Sequence, residues 1–294
     1  MTIPSDFAQM SAGAVSSLPE TDVLLSLVVP TCNRPELLSR CLASLKSAVR
    51  CLPIGRCEVI VTIDHTRGEQ LPEDTEIFRY VRGPDRGPAA NRNCGVSRAS
   101  GKWVIFIDDD CVPEVDILAA YNRAIEPGIF IYEGKTTCVG GLKQALDHAP
   151  VNLSGGYLWS CNFMISRAVF NQIGGFDEGF PYAAMEDVDL RERVKDARYT
   201  IRFVPEAVVD HPPRKLHGLE ELERHYISMA YYTIRKRGEK LSARRLLSAA
   251  LRMRLRRILT ASDRTDSFRA LRLLMRELWM IVRHTRRWER TFQT

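Results

Sequence analysis

Three apolar runs, "LLSLVVP", "CEVIVTID" and "KWVIFIDDD", each break off at polar residues, with helix-like sequence between them. Each run is too short for a core helix and is bounded by turn residues, so each reads as a buried strand. The first spans 24–29. A helix follows it at Pro35, since proline suits the first helical position and Leu37, Leu38, Cys41, Leu42 and Leu45 form one apolar stripe. The second run ends in Asp64, and "GPAANRNCGVSRASG" predicts a helix over 89–99 closed by Gly101. The third, over 103–107, leads straight into Asp108, Asp109 and Asp110. Alternation of this kind builds parallel βαβ units with right-handed crossovers. Such sheets bind ligands outside the carboxyl ends of their strands. Thr31, Asn33, Asp64 and the aspartate triplet all fall there.

A turn needs one Asp or Asn, not three. Adjacent unit charges about 6 Å apart repel by roughly 3 kcal/mol at an effective dielectric of ~20. The triplet therefore asks for a cation. Its Asp-x-Asp spacing lets Asp108 and Asp110 reach one hard divalent ion, Mn²⁺ or Mg²⁺, that keeps positions open for phosphate oxygens. An isolated Asp-x-Asp is more often a solvated turn. The buried strand before it and the second Asp-tipped strand reverse that balance.

After Pro113 the pattern gives a helix over 115–125, then a Gly-rich, less regular stretch holding "TCVGGL" and "NLSGGYLWSCNF". Trp159 in that stretch reads equally as a core residue or a sugar-stacking face. A short helix over 167–173 stops at Gly174 and Gly175, and "AMEDVDLRERVKDARY" is amphipathic, with acidic residues where the helix dipole favours them. "TIRFVPEAVVDHPP" reads as one or two strands ending in His211, and from His217 onward the pattern is helical and arginine-rich.

Charge divides the chain. Residues 1–211 carry 21 Lys+Arg and 28 Asp+Glu, a balance of −7, whereas residues 212–294 carry 21 and 8, a balance of +13. A basic block of that kind points to a polyanionic surface, membrane or nucleic acid. Two of its segments, "RRLLSAALRMRLRRIL" and "RALRLLMRELWMIVRHTRR", place Leu247, Leu251, Leu255 and Ile258, and then Leu271, Leu274, Leu278 and Ile281, on shared faces with arginines opposite. Interfacial helices on an anionic membrane are expected, and docking on the catalytic body or a second copy is the alternative. Residues 1–22 have neither a basic start nor a continuous apolar stretch, so they read as a flexible leader rather than a signal peptide. No run of 18 apolar residues predicts a membrane span. The eight cysteines include no CxxC pair and none beyond residue 161, which suits buried thiols in a reducing compartment better than a disulfide framework or structural zinc. The expected location is cytoplasmic, peripheral on the inner face of the cell membrane.

Four blocks, "VVPTCNRPELLSRCLASL", "VIVTID", "GPAANRNCGVSRASGKWVIFIDDD" and "GGFDEGFPYAAMEDVDLRERVKDARYTIRFVPEAVVDH", occur in the order found in family 2 glycosyltransferases. The resemblance covers about residues 24–211. It implies an α/β GT-A fold, a Rossmann-like nucleotide-binding half over 23–112 and an acceptor half over 113–212, with a helical basic appendage over 213–294. Carried over by position, Pro30, Thr31, Asn33 and Arg34 are expected at the base and ribose, with Asp64, Arg92, Asn93 and Asp109 completing the nucleotide set. The usual acidic pair is here Asp64-His65, which leaves base preference open. Asp108 is expected near ribose and metal, Asp110 on the metal, and His211 as a further ligand. Inverting transfer to a hydroxyl needs a carboxylate opposite the leaving diphosphate. The resemblance assigns that role to Asp187 of "MEDVDL", with Glu186 orienting the acceptor and Asp189 as the lesser candidate.

The implied reaction is metal-dependent, inverting sugar transfer from a nucleotide-diphosphate sugar, UDP favoured, to a lipid-linked or polysaccharide hydroxyl. A sugar-phosphate nucleotidyltransferase would need a Gly-rich phosphate loop where this chain has "PTCNRPE". A nucleic-acid-binding protein would interleave aromatic with basic residues, whereas the tail shows leucine stripes, so no nucleic-acid partner is expected. An inactive scaffold would not need its acidic positions intact. A homodimer is left open.

Overall fold

The computed structural model describes residues 24–53, 56–65 and 70–293. The expected leader over 1–22 lies outside them. The elements run β1 (Leu25–Cys32), α1 (Pro35–Val49), β2 (Cys57–Asp64), β3 (Phe78–Arg82), α2 (Pro88–Ser97), β4 (Trp103–Phe106), β5 (Val112–Pro113), α3 (Ile117–Ala124) and β6 (Ile131–Thr137). Then follow β7 (Asp147–His148), β8 (Phe163–Ser166), α4 (Arg167–Gln172), α5 (Glu186–Asp196), β9 (Ile201–Asp210), β10 (Arg214–Lys215), α6 (Leu219–Tyr231), a π-helical turn (Tyr232–Lys236), α7 (Ala243–Thr260) and α8 (Ser267–Phe292).

Eight strands form one mixed sheet in the order β3-β2-β1-β4-β8-β6-β9-β5. The half from β3 to β4 is parallel, as the alternation of apolar runs and helices requires. Past β4 the sheet turns mixed: β8 runs antiparallel to both β4 and β6, and β9 runs parallel to β6. Period-two alternation sends Leu27 and Val29 of β1 to one face and Val28 to the other. The first face packs on α1 and α3 through Leu45, Ile117 and Tyr121, and the second on α2, α4 and α5 through Val96, Phe170 and Leu190. Gly95 lets α2 lie close on the sheet, since a Cβ there would sit 2.4 Å from Val28.

Two strands of the sheet fall in the stretch that reads as irregular. β8 is only four residues, "FMIS", and runs directly into α4, so it lacks a turn signal at its end. β6 is interrupted by Glu133, Gly134 and Lys135, with a register shift between the last two. Glu133 is nevertheless buried, and its carboxylate accepts N–H bonds from Gly156, Tyr157 and Leu158 and from the Asn152 amide. One buried charge thus shapes the 152–158 loop that an apolar pattern leaves unspecified.

The basic C-terminal helices are packed on the body. Leu222, Tyr226, Leu246, Leu273, Ile281 and Trp288 form a third apolar cluster with Leu146 and Leu216. Inside it, Glu277 accepts from Arg254 at 3.0 Å and from the Tyr226 hydroxyl at 2.8 Å, tying α6, α7 and α8 together. At the start of α8, Asp266 accepts from the Ala145 and Leu146 amides.

Candidate active site

The parallel half of the sheet delivers the polar ends of β1, β2 and β4 to one edge, with Cys32 in register with Asp64. Asn91, one turn into α2, donates to the Thr31 and Thr62 carbonyls and pins the tips of β1 and β2 together. Four non-glycine residues with left-handed backbone sit in the surrounding turns: Asn33 (φ 53°), His65 (62°), Asp85 (56°) and Met185 (75°). Asn, His and Asp tolerate that region; an unbranched apolar residue such as Met185, immediately before Glu186, is the unusual one.

The three aspartates have three different environments. Asp108 accepts from Arg92 at 2.6 Å. Burial alone would raise its carboxyl, but the Arg92 guanidinium, with help from Arg214 and His211, holds it below the ordinary range. Asp109 turns to β1, accepting from the Thr31 hydroxyl at 2.6 Å and from Arg34 at 3.2 Å. Burial wins there and raises its carboxyl despite both partners. Asp110 meets Arg214 through Nε at 2.6 Å and through Nη2, with Arg34 3.6 Å away. Its other oxygen faces His211 Nε2 at 3.5 Å.

Asp64 accepts from the Asp85 amide at 3.0 Å, and burial raises its carboxyl. Pro30 lies within β1, and Arg34 is half-exposed at the start of α1. Asn93 is committed to the 176–178 segment: its amide donates to the Phe176 carbonyl and to Glu178, and its oxygen accepts from the Phe176 N–H.

Arg92 is the centre of the arrangement. It is buried, stacks over Phe176 at 5.4 Å, and bridges Asp108 at 2.6 Å to Glu186 at 3.3 Å. That bridge joins the end of β4 to the start of α5. Glu186 Oε2 is buried without a hydrogen-bond partner, an orphan acceptor aimed into the site. Next to it, burial and the Glu186 charge push the Asp187 carboxyl up to about 7, against the pull of Arg92. Asp189, two residues on, is paired with Arg193 at 2.8 Å.

Among the described residues, Asp110, Cys111 and His211 form a cluster with one ligand atom each within 4.8 Å of one another. His211 Nδ1 lies 2.8 Å from the Pro212 carbonyl, which can only accept, so Nδ1 carries a proton and Nε2 is the ring nitrogen facing Asp110. A carboxylate oxygen and an imidazole nitrogen facing each other at 3.5 Å are a pair that can hold a cation between them. Burial keeps the Cys111 thiol protonated, which leaves an O and N donor set suited to a hard or borderline divalent ion. Asp108 is outside this cluster and is bound to Arg92.

Residues 26–133 match the family described as Glycosyl transferase family 2, and residues 140–215 match the N-terminal domain of galactosyltransferase. Residues 26–133 thus form a family 2 glycosyltransferase domain, on a GT-A fold. The Campylobacter jejuni GalNAc(5)-diNAcBac-PP-undecaprenol beta-1,3-glucosyltransferase is 32% identical over 94 residues, 29% of each protein. The Mycobacterium tuberculosis pre-mycofactocin glycosyltransferase is 26% identical over 219 residues, 65% of this chain and 43% of the relative. The matches thus span less than half the length of these relatives. S. aureus TarS 1-349 in complex with UDP-GlcNAc shares the GT-A fold, with a TM-score of 0.55 at 17% identity over 92% of this chain and 89% of that one.

Arg214 and Cys111 are residues of this candidate site that the sequence reading passes over. The only signal for Arg214 is a basic residue three positions after His211, which many surface turns share.

Proposed function

We propose that the chain transfers a sugar, with inversion, from a nucleoside diphosphate donor to a hydroxyl of a lipid-linked or glycan acceptor. The reading rests first on the Arg92 bridge, which ties the Asp108 end of the nucleotide half to the Glu186–Asp187 pair. Thr31, Asn33, Arg34 and Asp64 would hold the nucleoside at the strand tips. A UDP-sugar is the favoured donor, and the TarS complex with UDP-GlcNAc supports that choice by fold alone. The undecaprenol-linked relative supports a lipid-linked acceptor.

Asp187 would accept the acceptor proton as the new bond forms. A carboxyl raised to about 7 suits a base that must take up a proton near neutral pH. Glu186, held by Arg92 through one oxygen and free at the other, would orient the acceptor hydroxyl. Asp110 and His211 would hold Mn²⁺ or Mg²⁺, which when bound neutralises charge on the leaving diphosphate. Arg34 and Arg214, both partly exposed beside Asp110, are placed to meet the same phosphates.

The test is a thermal-shift screen of nucleoside diphosphate sugars with and without Mn²⁺. A donor at 100 times its dissociation constant adds about 2.7 kcal/mol to stability. A Mn²⁺-dependent shift with one base and not others supports the reading; no shift with any sugar nucleotide at millimolar concentration rejects it.

A further inference from the structure

We propose that the outward face of α7 and α8 is a docking surface for an anionic lipid bilayer. Helix α8 has three distinct sides. Leu273, Met280, Ile281 and Trp288 are buried against the body. A second side presents Phe268, Leu271, Met275, Trp279 and Val282, which at 3.6 residues per turn fall within an arc of about 80° and run about 21 Å along the axis. These residues are 72, 45, 62, 59 and 66% exposed. The third side, next to that stripe, carries Arg269, Arg272, Arg276, Arg283 and Arg287, all exposed. Helix α7 repeats the design with exposed Leu251, Leu255 and Leu259 beside Arg252 and Arg256.

The inner face already satisfies the need of these helices for a core, so folding does not require the outer stripe. A single exposed leucine needs no explanation, but a continuous apolar stripe bordered by arginines marks an interaction surface. Charge selects the occupant. Residues 243–293 carry 14 Lys+Arg and 4 Asp+Glu, and two of the four, Asp266 and Glu277, are buried. A two-fold contact between copies would set this arginine border against itself, since an isologous interface repeats the same patch on both sides. An anionic bilayer accepts both parts, the apolar side chains at the acyl boundary and the arginines at the headgroups. Trp279, with Arg283 stacked 5.1 Å from its ring, has the amphipathic character favoured at that depth.

The surface is tied to the candidate site. Asp266, at the head of α8, holds the 145–146 backbone; β7 follows directly and pairs with β10, whose Arg214 reaches Asp110. The proposal does not depend on the sugar-transfer reading, although a lipid-linked acceptor would be presented at such a surface.

The test is co-sedimentation of the full chain with vesicles of phosphatidylcholine alone or mixed with phosphatidylglycerol, in 0.1 M and 1 M NaCl. Binding is expected only to the anionic vesicles. It should weaken by about tenfold or more in high salt, where the Debye length falls from about 10 Å to about 3 Å. The triple variant Phe268→Ser, Met275→Ser, Trp279→Ser should lose about tenfold in affinity with its melting temperature unchanged. Arg269→Glu, Arg272→Glu, Arg276→Glu should abolish binding. No binding of the unmodified chain to anionic vesicles overturns the proposal, as does binding that neither variant alters. A dimer by analytical ultracentrifugation that the serine triple dissolves, without vesicle binding, assigns the face to a second copy. Affinity for duplex DNA that survives the serine triple, again without vesicle binding, assigns it to nucleic acid.

Discussion

Replacing Asp187 by asparagine should stabilise the protein, and increasingly so as the pH rises to neutral. In an unfolded chain the Asp187 carboxyl titrates near its ordinary value of 3.8; in the folded protein burial and Glu186 push it to about 7. Below pH 4 both states hold the proton and the carboxyl costs nothing. Between pH 4 and 7 the unfolded chain releases its proton while the folded one keeps it, so the native protein loses stability. Above pH 7 both are ionised and the penalty is complete. A rise of about 3 pH units corresponds to roughly 4 kcal/mol at most. Asp187 is only half-buried and shares its site with Glu186, so about 2 kcal/mol is the working figure. Asparagine keeps the acceptor oxygen that Asp187 offers the Val188 amide and removes the titration.

At about 2–4 °C per kcal/mol for a protein near this size, Asp187→Asn should melt roughly 4–8 °C above the unmodified chain at pH 8. The assay is calorimetry of both proteins at pH 5, 6, 7 and 8. The gap should widen from pH 5 to 7 and then level off. A gap constant over that range, or a less stable variant at pH 8, would refute the argument, because no raised carboxyl would then exist at that position. Sugar transfer should fall by at least ~10²-fold in the same variant, the usual trade between stability and a strained catalytic group. For the unmodified chain, kcat/KM should rise with pH through about 7 as the Asp187 carboxyl, the proposed base, ionises.

Arg92→Met should destabilise by about 3–5 kcal/mol in urea unfolding, since it leaves Asp108 and Glu186 buried without their counter-charge; a loss below ~1 kcal/mol would mean the bridge is not formed. Asp110→Ala should remove Mn²⁺-dependent binding of a nucleoside diphosphate with the fold intact, and unchanged calorimetric affinity would take Asp110 out of the metal site. Glu133→Leu should destabilise by roughly 1–3 kcal/mol by orphaning the amides of the 156–158 turn, while donor binding persists; loss of donor binding instead would place that loop under the nucleotide.

The parallel half of this fold is legible in the sequence because its strands are continuous apolar runs tipped by polar residues. β1, β2 and β4 and helices α1, α2 and α5 lie within a few residues of where periodicity and Pro or Gly punctuation place them. The mixed half is not, since β8 is four residues fused to a helix and β6 depends on a buried glutamate that looks like a surface charge. At the site, sequence points to the acidic residues by their position at strand ends. It does not give their partners, which come from far along the chain: Arg92 to Glu186 and Arg214 to Asp110 are separated by 94 and 104 positions. The tail shows the same limit. Periodicity finds one apolar stripe per helix, and Leu274 and Ile281 of the expected α8 stripe do turn inward, but Leu271 of the same stripe belongs to a second, outward face.

The long-range pairs explain why a charge network this costly is built at all. Burying Arg92 with two carboxylates gives little net stability, because desolvation offsets most of the attraction. What it gives is position. Asp108 follows a strand of the parallel half, and Glu186 opens a helix between β8 and β9 of the mixed half; no backbone ladder joins the two. A guanidinium fixed on α2 is a rigid fork that can hold both at set distances. The strained Met185 backbone just before Glu186 is consistent with an α5 start placed by that bridge rather than by its own capping, for no side chain caps it. Asn93, next to Arg92 on α2, holds the 176–178 segment leading to α5 by three further hydrogen bonds. Two adjacent residues of one helix therefore set the separation between Asp108 at the end of β4 and the carboxylate proposed to act as base, and shifting α2 would misplace both together.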